Sequence, residues 1–309
     1  MSLPKFGTHQ RRVAWISDFP IEWLPGVPEA IGRLAPQHPT TWARVLLDQL
    51  EANSDWNVHI CVLRKQITRN YEFQVGRTTF HVCQVPGGLR ATSLFLIDSA
   101  ILKPVLRRIQ PDLIHAWGTE RGAALVASRL PYPYLVTIQG LLSWYREQVP
   151  LSRYEKFAAW VETWSLRRAK VITAESRFAV DYLRQRYPRA LVHQAEHASN
   201  QIFHQVQRRP QLQPLRLLCV GTLGYRKGSD LLLRALSRLL CESEFELIIV
   251  GSPDESFLAP LRAELPERLW FRLQFRDNLQ PAEIAAELAI ATMLILPTRA
   301  DTSPNAVKE

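Results

Sequence analysis

Residues 215–240 read LRLLCVGTLGYRKGSDLLLRALSRLL. The first six positions, Leu215–Val220, form an apolar run of strand length. Gly221 and Gly224 then break it, and from Ser229 to Leu240 the leucines return at helical spacing. Strand, glycine turn and amphipathic helix make the unit of a parallel sheet covered by helices. The alternation continues with strands at Leu247–Val250 and near Trp270–Phe275, a helix near Pro281–Ala289 and a strand at Met293–Leu296. Upstream the same reading gives strands at Val13–Ser17, Val58–Leu63, Thr79–Val85, Leu113–Ala116, Tyr134–Ile138 and Val171–Thr173. Helices with 3.6-residue spacing run through Trp42-Val45-Leu46-Leu50 and Ile97-Ile101-Val105-Ile109, and Pro111 helps to stop the second. Between the two series, Gln205–Pro214 loses the periodicity and reads as a linker. The expected fold class is α/β, with two doubly wound Rossmann-like domains, 1–208 and 215–309, facing each other across a cleft.

Composition narrows the function classes. The chain has 309 residues, of which 47% are hydrophobic, and no run approaches the roughly 18 apolar residues that span a membrane. Met1 to Arg12 is polar, without the apolar core of a signal peptide. The four cysteines, Cys61, Cys83, Cys219 and Cys241, show no metal-ligand spacing and read as buried thiols, so no metal is expected and the cytoplasm is the expected location. Residues 1–210 hold 27 Lys and Arg against 16 Asp and Glu, whereas 211–309 hold 11 against 13. A basic first half suggests an anionic partner such as a phospholipid surface, a polyanion or a phosphorylated acceptor; it reads equally as solvated Arg-rich helices. Trp144-Tyr145-Arg146 and Trp160–Arg168 mix aromatic and basic residues as a membrane-surface segment does, although core packing accounts for most of the tryptophans equally well. No nucleic-acid recognition motif appears.

Two motifs carry chemistry. In Gly221–Gly228 the glycines let the backbone turn at a strand end, and Arg226 and Lys227, just before a helix start, can neutralise a phosphate; the stretch reads equally as an ordinary β-α turn with incidental glycine and lysine. The spacing fits neither a P-loop nor a dinucleotide fingerprint. The second motif is Asp301-Thr302-Ser303-Pro304-Asn305-Ala306-Val307-Lys308-Glu309. It follows an apolar strand, so Asp301 sits in a loop at a strand's carboxyl end, where open α/β sheets bind ligands. A carboxylate there caps a helix or accepts hydrogen bonds from sugar hydroxyls.

Together these stretches resemble glycosyltransferase family 4, whose members are retaining enzymes of the GT-B fold. VGTLGYRKGSDLLLRAL, FELIIVGS and ATMLILPTRADTSPNAVKE are similar to its donor-binding half. PDLIHAWG (111–118), PYLVTIQG (133–140) and AKVITAES (169–176) are similar, in order, to its first half. The family hallmark is Glu-x7-Glu; here Asp301 takes the first position and Glu309 the second. Thr222 stands where the family carries an arginine and Gln139 where it carries a histidine.

The resemblance implies a metal-independent transferase that moves a hexose-like sugar from a nucleoside diphosphate sugar, its co-substrate, to an acceptor hydroxyl with no other cofactor. Lys227, with Arg226, Gly221, Thr222 and Gly228, would hold the diphosphate. Asp301 with Thr302, Ser303 and Asn305 would hold the sugar, and Glu309 the ribose. The acceptor, on a glycan, a lipid carrier or a small molecule, would meet Gln139 and Gly26 of the Asp18–Glu29 loop; His115, at a strand end, is a further cleft candidate, although such a histidine is more often structural. The alternative is a sugar-nucleotide-binding protein of the same fold without transferase activity. The family's second domain normally continues beyond the hallmark, so the second domain is expected to be incomplete, and this form C-terminally truncated and inactive alone.

Overall fold

A computed structural model describes residues 10–35, 41–277 and 279–308. Backbone contacts divide the chain into two units, the break falling between Ala198 and Ser199.

In the first unit β1 (Arg12–Ile16), β2 (Asn57–Arg64), β3 (Tyr71–Val75), β4 (Thr78–Gln84), β5 (Leu113–Trp117), β6 (Tyr134–Ile138), β7 (Val171–Ala174) and β8 (Leu191–Gln194) form one sheet in the order β3-β4-β2-β1-β5-β6-β7-β8. All neighbours pair in parallel except β3 with β4. The central strands read as continuous apolar runs because both faces are covered. Along β1, Ala14 and Ile16 enter one core layer while Val13 and Trp15 enter the other, as the two-residue period of a strand requires.

In the second unit β9 (Leu215–Val220), β10 (Phe245–Val250), β11 (Leu273–Arg276) and β12 (Met293–Leu294) form a parallel sheet in the order β11-β10-β9-β12. Leu217 and Cys219 pack on one face and Leu218 on the other. The helix Ser229–Leu239 leaves the turn after β9, and its Leu232, Leu233 and Leu236 are buried.

Several elements depart from the sequence reading. β3 escapes it because Tyr71, Phe73 and Val75 are only half covered at a sheet edge. The two-residue Gly76-Arg77 link that folds β3 back on β4 is nonetheless a hairpin signal. β8, the opposite edge, has a single buried residue, Val192. The strand expected at Trp270–Phe275 begins only at Leu273, because Glu267–Trp270 closes a helical turn first and the Arg272 amide donates back to the Leu269 carbonyl at 3.0 Å. β12 ends at Leu294, yet the Ile295 amide still donates to the Leu218 carbonyl at 2.8 Å, so the apolar run to Leu296 outlasts its strand. Residues 205–214 lie along the second unit: the Arg209 and Gln211 amides donate to the carbonyls of Ala289 and Ile290 at 2.7 and 2.9 Å.

A buried ionic cluster ties the helix Pro281–Ile290 to the second sheet. Glu287, almost wholly buried, accepts from Arg216 Nη2 at 2.7 Å and also pairs with Arg276, while Arg216 Nη1 donates to Glu246 at 2.5 Å. Removing one partner of such a cluster leaves an uncompensated buried charge, which costs about 3–5 kcal/mol. Glu287→Ala is therefore expected to lower the stability of the second unit by about 3 kcal/mol, read from its denaturant midpoint; a loss below about 1 kcal/mol would show that the cluster is ornamental.

Candidate active site

The strand order of each sheet reverses at one place. In the second sheet it lies at β9, whose successor β10 is on one side while β12 joins on the other. The crevice outside the carboxyl ends of strands at such a switch point is where open α/β sheets take ligands. Two loops meet there, residues 221–228 after β9 and residues 295–304 after β12.

Lys227 Nζ donates to Asp301 Oδ2 at 2.6 Å, joining the loops through one charged contact. Asp301 Oδ1 accepts the Ser303 amide at 3.2 Å, which fixes the carboxylate in its own turn. Arg226 Nη1 donates to the Ala300 carbonyl at 2.9 Å. Behind them Arg299 makes a bidentate pair with Asp230, at 2.6 and 2.9 Å, and its guanidinium lies 3.9 Å from the centre of the Tyr225 ring. This pairing holds the Asp230 carboxyl below its usual range. Asp230 sits in the first turn of Ser229–Leu239, where a negative charge complements the helix dipole. Gly228, at φ +70°, lets the two loops touch: a Cβ there would stand 1.9 Å from the Pro297 carbonyl oxygen.

Sequence reasoning missed Arg299 and Asp230 because they are 69 positions apart and neither belongs to a ligand-binding pattern. The acid in a first helical turn was the available signal. Of the residues it singled out, Arg226, Lys227, Gly228, Asp301 and Ser303 come together here. Gly221, at φ +128°, packs its carbonyl so close to Gly251 that a Cβ on Gly251 would lie 2.7 Å away. Thr222 is exposed, Thr302 is buried, and Asn305 opens the short helix Asn305–Lys308. Glu309 lies outside the described residues.

In the first sheet the order reverses between β1 and β5. A pocket opens there, lined by Ser17, Asp18, Trp117, Glu120, Arg121 and Gln139 among others. Gly118, at φ +78°, makes room for a carboxyl: a Cβ on it would stand 2.5 Å from a Glu120 oxygen. Burial pushes the Glu120 carboxyl up to about 7, and the neighbouring Glu162 adds to the shift; the Thr119 amide, donating to it at 2.9 Å, opposes it. The buried indole Nε1 of Trp117 has no hydrogen-bond partner among the described residues. Asp18 and Arg121 pair at 3.3 Å.

Gln139 lines this pocket; His115 and Gly26 are not among its lining residues. His115 stands on β5 in an aromatic layer, stacked on Trp117 with ring centres 3.9 Å apart, and its Nε2 bonds Thr137 Oγ1 at 2.6 Å. Burial, helped by His197, lowers it to about 3, so the ring is neutral at ordinary pH. Gly26 adopts φ +69° in a loop, and a Cβ placed on it would meet nothing within 4 Å.

The sequence profile described as Glycosyltransferase Family 4 matches residues 40–194. The chain belongs to that family. A second profile, Glycosyl transferases group 1, matches residues 214–309 of this glycosyltransferase. No curated protein is matched by its sequence. Among solved structures it is similar to sucrose-phosphate synthase from Thermosynechococcus elongatus, at 15% identity and a TM-score of 0.73, covering 96% of this chain and 78% of that one. It is also similar to Anabaena HepE in complex with UDP and glucose, at 15% identity and a TM-score of 0.61, covering 94% and 75%. A third is trehalose-6-phosphate from E. coli bound with UDP-2-fluoro glucose, at 10% identity and a TM-score of 0.56, covering 89% and 75%. These likenesses give the fold, GT-B. Among the described residues no helix is long and apolar enough to cross a membrane.

Proposed function

We propose that this family member is a retaining, metal-independent glycosyltransferase that moves a hexose from a nucleoside diphosphate sugar to an acceptor hydroxyl. The observation that carries the reading is the Lys227–Asp301 contact at the switch point of the second sheet. It sets a cation for a diphosphate beside a carboxylate for sugar hydroxyls. Similar structures hold UDP with glucose, and UDP-2-fluoro glucose, which supports a uridine diphosphate donor.

In this reading the bond from the sugar C1 to the diphosphate oxygen breaks, and a bond from C1 to the acceptor oxygen forms on the same face. The acceptor proton passes to the leaving phosphate. Lys227, with Arg226 beside it, stabilises the charge that builds there, the role a divalent cation fills elsewhere. Asp301 and the Thr302–Asn305 turn orient the sugar, and Glu309 takes the ribose. The pocket of the first unit receives the acceptor hydroxyl among Gln139, Glu120 and the Trp117 indole. Cys61, Cys83, Cys219 and Cys241 are all free thiols, which supports a cytoplasmic location. We include among its partners an anionic membrane surface, met by the basic first unit, and no nucleic acid.

The test is a panel of uridine, guanosine and adenosine diphosphate sugars offered to the full-length protein. One donor is expected to release its nucleoside diphosphate, with the rate unchanged by a chelator and the anomeric configuration kept in the product. Tight donor binding without release on any acceptor would leave a binding protein in place of an enzyme, and an inverted product would end the retaining assignment.

A further inference from the structure

One helix of the first unit, Arg153–Leu166, turns large aromatic side chains outward. Its Ala158, Val161, Glu162, Ser165 and Leu166 are buried, so the opposite stripe faces water. On that side Trp160 is 48% exposed. The Trp160 ring stacks on Trp164 with centres 5.6 Å apart, and Phe157 stands 6.2 Å from Trp160. Phe157 and Trp164 also reach the core, whereas Trp160 belongs to neither core layer of the unit. Arg168 closes the ladder, its guanidinium 4.3 Å from the Trp164 ring centre.

The charge around this ladder is one-sided. Arg153, Lys156, Arg167, Arg168 and Lys170 are exposed between positions 153 and 170. The only acids in that stretch are Glu155 and Glu162. Glu155 accepts the Ser152 amide at 2.8 Å in a capping box, and Glu162 is buried, accepting from the Leu142 and Ser143 amides and from Thr119. Five cations against these two acids leave the segment net positive, and Arg153, Lys156 and Arg167 share the Trp160 stripe at spacings of four and seven residues. Exposed aromatic rings ringed by cations suit the boundary between headgroups and acyl chains of an anionic leaflet. Single-stranded nucleic acid fits less well, because it needs a free ring face for each base. The Trp164 ring is already approached by Trp160, Arg168 and Arg129.

We infer that this helix face docks the first unit onto an anionic phospholipid surface, with Trp160 entering the interface and the basic side chains of its stripe meeting the headgroup phosphates. The inference rests on the membrane partner proposed above and is independent of the donor chemistry. The test sediments the full chain with vesicles of phosphatidylcholine alone or with roughly 30% phosphatidylglycerol, at low and high salt. Binding to the anionic vesicles alone, weakened by salt, is expected. Trp160→Ser and the pair Arg167→Glu/Arg168→Glu should each cut the bound fraction at least about fivefold, and Lys156→Glu should cut it by about twofold. Nucleoside diphosphate binding should be unchanged in all three, so a failed donor site and a failed membrane face give different results. Equal binding to neutral and anionic vesicles, parent-like binding by the variants, or capture of polyuridylate in preference to vesicles would overturn the inference.

Discussion

Lys227→Ala is expected to weaken the binding of a nucleoside diphosphate by about 100-fold, the worth of one or two charge-assisted hydrogen bonds at about 2.7 kcal/mol. The side chain stands at the mouth of the turn after β9, with Nζ 2.6 Å from Asp301. Its partner is not lost with it, since Asp301 also accepts the Ser303 amide, so the loop after β12 should keep its course. The Arg299–Asp230 pair behind the loops is untouched. Calorimetric titration with uridine diphosphate measures the loss, and circular dichroism checks the fold. Lys227→Arg should recover only part of the affinity, because a planar fork replaces a point charge already fitted to one carboxylate oxygen. An alanine variant that binds within about threefold of the parent would place the diphosphate elsewhere.

The two loops at the switch point of the second sheet were legible because each consists of local signals. An apolar run, a glycine and a basic pair before a helix locate residues 221–228, and a second apolar run locates residues 295–304. What holds those loops together was not legible. The Arg299–Asp230 pair and the contact of Gly228 with the Pro297 carbonyl link positions about 70 apart, and a single sequence carries no record of such pairings. The first unit shows the converse. His115 and Gly26 drew attention as strand-end and loop residues, yet His115 is packed between tryptophans as a neutral ring. Glu120, which lines the pocket, is one acid among many until Gly118 is seen to make space for it. The nine tryptophans divide in the same way: Trp15, Trp42 and Trp117 pack with histidines in the core, while Trp160 faces water. Trp15 and Trp117 lie on central strands, whereas the exposure of Trp160 depends on which side of Arg153–Leu166 packs on the helices Ala123–Ala127 and Leu142–Gln148.

Gly228→Ala should be the most damaging single methyl group in the second unit. Two costs combine there. At φ +70° an L side chain is strained, by roughly 1 kcal/mol. The new Cβ would also meet backbone, 1.9 Å from the Pro297 oxygen and 2.8 Å from its carbonyl carbon, and backbone yields only by moving a whole loop. That movement would pull on the Arg299 amide bond to the Arg226 carbonyl, at 2.9 Å, and on the Thr298 hydroxyl bond to the same carbonyl, at 3.2 Å. The expected loss is about 3 kcal/mol or more from the second unit, together with nucleoside diphosphate binding. Gly26→Ala is the matched control, because Gly26 has nearly the same φ, +69°, and nothing within 4 Å of its would-be Cβ. It carries the strain without the clash and should cost about 1 kcal/mol. Denaturant titration, with hydrogen exchange assigning each loss to its unit, compares the two. Equal losses would mean that the loop after β12 gives way freely, and the two donor loops would then not be locked to each other through Gly228.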